Sequence, residues 1–106
     1  ETRWSESKIQ RNIEEGKKEY YIITDDKIPG GAISLKFNGS LCELESIAVK
    51  SQRQGYGSML VDFAESLARD RGCKKIWCHT LEINNATGFY ERKGWKGEKG
   101  PYRNLS

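Results

Sequence analysis

The stretch that most constrains this chain runs from Ile47 to Leu60. Ile47, Ala48 and Val49 read as the end of an apolar strand. Lys50, Ser51, Gln52, Arg53 and Gln54 then lead to Gly55, Tyr56 and Gly57, and Ser58, Met59 and Leu60 open a helix. The helix rests on Met59, Leu60, Phe63, Ala64, Leu67 and Ala68, which recur at the spacing that lines one side of a 3.6-residue turn. Asp62, Glu65, Arg69, Asp70 and Arg71 take the other side, and Gly72 is placed to stop it. A strand, a glycine loop and a helix in that order make an anion site. Loop amides and the helix dipole converge on one spot, and glycine lets a ligand reach bare backbone. Arg53 adds a cation beside it. A phosphate-bearing ligand is the expected guest.

Two common phosphate loops are excluded by residue type. A P-loop needs Lys and then Ser or Thr after its second glycine, where this chain has Ser58 and Met59. A dinucleotide fingerprint needs a third glycine where Leu60 stands. The pattern Gln52-x-x-Gly55-x-Gly57 instead resembles the pyrophosphate loop of the GNAT-type N-acetyltransferases. In that family the pattern is Gln or Arg, two residues, Gly, one residue, then Gly or Ala. A second stretch looks like that family's other signature: Asn84 and Asn85, then Ala86, Phe89, Tyr90 and the pair Gly94-Trp95, in the family's order. The chain departs from the pattern in two places. The loop between Val49 and Gln52 is shorter, and the leading Asn aligns with Ile83, so Asn84 fills its role only in a tighter turn. The resemblance covers about residues 20–96.

The rest of the chain reads as strands and short helices. Residues 5–15 are expected to form a short helix, with Ser7 and Gln10 at capping-box spacing and Gly16 as a stop. Strands are expected at about 19–25, 31–37 and 41–49, with Pro29-Gly30-Gly31 breaking the chain before the second. Asn38-Gly39 is a hairpin signal between the second and third. After the long helix, residues 74–81 read as a fourth strand. A strand, a crossover helix and a neighbouring strand must run parallel. A mixed sheet follows, antiparallel first and parallel at the last pairing. The resemblance implies an α/β (α+β) acyl-CoA N-acyltransferase fold: a mostly antiparallel sheet, a parallel pairing between the family's fourth and fifth strands, and helices on both faces. It also implies one domain over residues 1–106, trimmed or minimal at both ends. A missing terminal strand would leave an edge that a second copy of the chain could complete, hence the expectation of a homodimer.

The same resemblance assigns a reaction and its residues. Acetyl-CoA would lie with its pyrophosphate on the amides of Gln52, Arg53, Gln54, Gly55, Tyr56, Gly57 and Ser58. Its pantetheine arm would lie along Ile47, Ala48 and Val49, with Asn84 or Asn85 also in reach. The amine acceptor attacks the thioester carbonyl directly, so a base must take its proton, a donor must meet the departing thiolate, and an N–H near Val49 must polarise the carbonyl. Tyr90 is the expected acid; the rival reading makes it, like Phe89, a core aromatic. Glu43 and Glu45 are the expected bases. They share strand parity with Leu41, Ile47 and Val49, so a regular strand puts both on one partly apolar face, which tends to raise a carboxyl pKa; a bulge would turn one away. Two ordinary glutamates on a solvated face, or a water chain as base, are the alternatives. Ser58 is read as a helix cap that also touches phosphate.

Composition narrows the remaining classes. With 36% hydrophobic and 31% charged residues, 106 residues suit a soluble globular domain. No apolar run approaches membrane-spanning length and no signal-peptide pattern is present. Cys42, Cys73 and Cys78 are an odd number without CxxC spacing, which fits reduced thiols in the cytoplasm and no metal site; Cys42 and Cys78 are expected to pack as small apolar residues. His79, the single histidine, is read as an exposed or satisfied imidazole at a strand end. The net charge of +3 and the basic residues Arg92, Lys93, Lys96, Lys99 and Arg103 do not make a nucleic-acid site, because Glu91 and Glu98 interrupt them. The rival to an acetyltransferase is a non-catalytic acyl-CoA-binding module of the same fold.

Overall fold

The computed structural model describes residues 7–14, 18–50, 55–79, 86–97 and 100–105. Its elements in order are β1 (Ser7–Glu14), β2 (Lys18–Asp25), β3 (Ile28–Asn38), β4 (Leu41–Val49), α1 (Tyr56–Asp70), β5 (Lys75–Cys78), α2 (Ala86–Arg92) and β6 (Tyr102–Asn104). The six strands form one sheet in sequence order. All neighbours are antiparallel except β4 and β5, which run parallel from Leu41 opposite Lys75 to Leu44 opposite Cys78. That parallel pair, joined through α1, is the one the sequence requires.

Four expectations are corrected. The N-terminal helix is strand β1, paired antiparallel along β2 with Ile9 opposite Ile23. Ile9 and Ile13 are four residues apart, a spacing that shares one face of a helix and equally one face of a strand, so the neighbouring strand decides. Pro29, Gly30 and Gly31 do not break the chain but lie inside β3, which bulges at Gly30 where the register to β2 shifts. The fourth strand is shorter than expected and ends at Cys78. A terminal strand does exist, since β6 covers the outer edge of β5.

The turns follow local chemistry. Asn38 pairs with Leu41, so Gly39 and Ser40 form the two-residue loop, and Gly39 carries the positive φ of 61° that such a turn demands. Both helices end in the same way. Cys73 N–H reaches the carbonyl of Ala68 and Gly72 N–H that of Arg69, as Trp95 N–H reaches Tyr90 and Gly94 N–H reaches Glu91. Gly72 and Gly94 have φ of 81° and 91°, which glycine adopts without strain.

The core lies between the sheet and α1. Tyr21, Ile23, Ile33, Leu35, Cys42, Leu44 and Ile76 meet Leu60, Val61, Ala64 and Ala68 from the helix. These helix residues belong to the apolar stripe read from the sequence, Val61 excepted, which the pattern passed over. Cys42 and Cys78 are buried as expected, and so is Cys73. Burial raises the pKa of the Cys42 thiol to about 12 and that of Cys78 to about 11. Among the described residues no helix is long and apolar enough to cross a membrane.

Candidate functional site

The end of β4, the start of α1 and the middle of α2 meet where the sheet opens. Strand β5 pairs with β4 only as far as Leu44, whereas β4 continues to Val49. Residues 46–49 therefore pair with β3 on one side, and residues 45–49 have no strand on the other among the described residues. Lys50 N–H still bonds the Gly30 carbonyl at 2.8 Å, so β4 stays with β3 and the gap opens towards β5.

At the start of α1 the cap is Gly55, with φ 76° and no side-chain cap bond. The first amides of a helix have no acceptor within it. Ser58 does not serve as the cap expected of it; its hydroxyl accepts from Lys93 Nζ at 2.8 Å, and Lys93 also pairs with Asp62. Gly55 is explained by its backbone. Gly57 is not: its φ is not positive, and a Cβ there would meet only ordinary contacts at 3.8 Å to Phe89 and 3.9 Å to Val49 among the described residues. Tyr56, between the two glycines, turns inward and is buried. Its hydroxyl donates to Asp25 Oδ2 at 2.6 Å, and its ring lies where a Cβ on Gly30 would be, 2.6 Å away. The helix start is thus seated on the β2–β3 hairpin through a glycine that sequence reading took for a chain break.

Tyr90 of α2 is buried against Trp95, with ring centroids 4.8 Å apart, and against Phe89 at 5.1 Å. Cys78, at the end of β5, is its electrostatic neighbour. Burial first, and that neighbour second, raise its pKa, so the phenol stays protonated. The ring belongs to the core cluster, as the rival reading of this residue has it. The Gly94-Trp95 pair has a structural partner that the sequence did not show: Trp95 Nε1 donates to the buried Glu65 at 2.7 Å, which also receives Arg103 Nη1 at 3.3 Å.

On the sheet face opposite the helices, Lys18, Tyr20, Ser34, Glu43, Glu45, Ser46 and His79 line an open groove of about 450 Å³. The two glutamates do share a face, but not with Ile47 and Val49. The register to β3 shifts between Ser34 opposite Ser46 and Leu35 opposite Leu44, so Glu45 is an extra residue on β4. Cys42 and Leu44 before the bulge, and Ile47 and Val49 after it, all pack towards the core. Glu43, Glu45 and Ser46 are left on the groove side, the partly apolar setting expected for them being on the other. Glu45 is paired with Lys18 at 2.9 Å, which raises the Lys18 pKa, and Glu43 Oε2 lies 3.7 Å from His79 Nε2. Gln52, Arg53, Gln54, Asn84 and Asn85 lie outside the described residues.

Comparison with known proteins agrees with this arrangement. A protein of Bacillus subtilis (strain 168), YxbD, described as uncharacterized, is 31% identical over 78 residues, 73% of this chain and 49% of its own. The chain thus spans about half the length of that curated relative. Among solved structures, a Bacillus subtilis acetyltransferase in complex with CoA superposes with a TM-score of 0.81 at 17% identity, over 94% of this chain and 99% of that one. The PaiA N-acetyltransferase of Thermoplasma acidophilum, in complex with coenzyme A, gives 0.76 at 20% identity, over 83% and 61%. Likeness at that identity shows the fold. The sequence profile of the Acetyltransferase (GNAT) family matches residues 1–95, and with the opened β4–β5 pair and the glycine-led helix beside it, this chain belongs to that family.

Proposed function

We propose that the chain binds acetyl-CoA at the opening between β4 and β5 and transfers its acetyl group to a primary amine. The observation that carries this is Gly57. Among the described residues nothing requires a glycine there, and a ligand needing bare backbone at a helix start does. The pyrophosphate would rest on the amides of residues 52–58, and the pantetheine arm would pair with the free edge of Ile47, Ala48 and Val49, with Asn84 or Asn85 in reach. The relatives of known structure that hold coenzyme A support the choice of ligand.

The chemistry follows from the neighbours. An amide on the free edge of β4 near Val49 polarises the thioester carbonyl and stabilises the oxyanion. Tyr90 gives a proton to the departing thiolate. Burial and the neighbouring Cys78 raise its pKa, so the phenol carries its proton at neutral pH. Glu43 and Glu45 form the acidic wall that receives the amine and takes up its positive charge.

Calorimetric titration of the 106-residue chain with acetyl-CoA, beside a Gly57→Glu variant, tests the binding half. Micromolar-range binding that vanishes in the variant is expected. Absence of binding to the wild type at millimolar ligand would sink the reading.

A further inference from the structure

The geometry points to His79 as the group that takes the proton from the incoming amine, with the Glu43 carboxylate behind it. This deepens the transfer reading above and rests on it. Strand β5 ends at Cys78, where the Tyr90 hydroxyl arrives from the helix side. The next residue, His79, emerges on the opposite face, in the groove. Acid and base thus flank one strand end, one on each side of the sheet, where β4 and β5 part. The His79 side chain is 74% exposed and open to a solute, whereas Glu43 is only 20% exposed. The imidazole has two neighbours, with its Nε2 3.7 Å from Glu43 Oε2 and its ring edge-on to Trp77, centroids 4.8 Å apart.

The other charged groups in the groove fit this division. Lys18 and Tyr20 come from β2, Glu43 and Glu45 from β4. Lys18 pairs with Glu45, and Glu43 faces His79. The exposed ring is the group an incoming amine meets first, and the less exposed Glu43 carboxylate offsets the charge the ring takes up. In the step, the ammonium gives one proton to His79 Nδ1, the ring nitrogen other than the one facing Glu43, and the freed lone pair attacks the carbonyl carbon. The C–N bond forms and the C–S bond breaks, its electrons leaving on sulfur. The nitrogen's second proton departs as the amide forms and, through solvent, replaces the one that Tyr90 gives to sulfur. The His79 proton passes to water. One amide, one thiol and one free proton result.

The test uses His79→Gln and His79→Ala, with 1,4-diaminobutane and a dipeptide as amine probes, thiol release followed from pH 6 to 9.5, and acetyl-CoA affinity measured separately. Affinity is expected to stay within about twofold, while kcat/KM for the amine falls at least ~10-fold at pH 7. The deficit should shrink as pH rises, because more amine is already neutral, and added imidazole should restore part of the activity of His79→Ala. An unchanged kcat/KM, or a loss that neither pH nor imidazole relieves, would overturn the role of His79 while leaving the transfer standing. A wild type that binds no acetyl-CoA, or binds it and releases no thiol with either amine, would overturn the transfer reading and this inference together.

Discussion

Tyr90 is a phenol whose surroundings keep it neutral. Removing its hydroxyl by Tyr90→Phe leaves the packing against Trp95 and Phe89 intact, so the fold and acetyl-CoA affinity are expected to persist. Turnover is expected to drop ~10- to 100-fold, read as thiol release, because a positioned proton donor contributes on that scale. The buried thiols behave in the same sense. Cys42 and Cys78 ordinarily ionise near pH 9, and burial lifts them to about 12 and about 11. A raised pKa in the folded state means that the fold favours the protonated thiol. Its contribution is whole below pH 9 and fades as pH climbs towards the folded values. Denaturant unfolding is therefore expected to show stability falling above pH 9 through these groups. In native protein at pH 8 neither thiol should react with a disulfide reagent, and both should in denaturant.

At the scale of elements, the seat of α1 depends on two glycines in β3. A Cβ on Gly31 would lie 2.8 Å from the Ala48 carbonyl oxygen and 3.0 Å from Val49 Cγ1, so Gly31→Ala must push β4 or its side chains. A loss of about 1–3 kcal/mol in chemical unfolding is expected, the range for overfilling a packed site. Here the sequence was legible in one respect and not in another. The strand–loop–helix order, the stripe on α1, the parallel β4–β5 pair and the second signature on α2 could all be read, because periodicity and glycine spacing are local. Pro29-Gly30-Gly31 read as a break because glycine's other use, letting a distant ring come close, is visible only once Tyr56 arrives. Residues 5–15 read as a helix for a related reason: two isoleucines four apart satisfy both periods. The groove was half legible. Glu43 and Glu45 stood out as a pair, but Lys18 and His79 come from strands far away in sequence, and no local pattern joins them.

For the whole molecule, Glu65 holds the C-terminal part to α1. It accepts from the indole of Trp95 and from Arg103, which also donates to the Lys93 carbonyl at 2.9 Å. Glu65→Ala leaves the Trp95 N–H without its acceptor and Arg103 without its counter-ion. A loss of about 2–4 kcal/mol is expected, larger than that of Lys93→Ala, whose partner Asp62 is mostly in solvent. Melting followed by Trp fluorescence alongside circular dichroism would show whether β6 leaves first.

The bulge at Glu45 has a consequence for how such a chain can change. On β4, which side chains face the helices and which face the groove is set by counting, and the extra residue resets the count midway. Substituting Glu45 alters one wall of the groove and little else. Deleting it would turn Ile47 and Val49 outwards and bring Ser46 and Ala48 against Leu60. The acidic side of the groove and the open edge of β4 are therefore set by a length, and a substitution there disturbs the fold less than an insertion or a deletion.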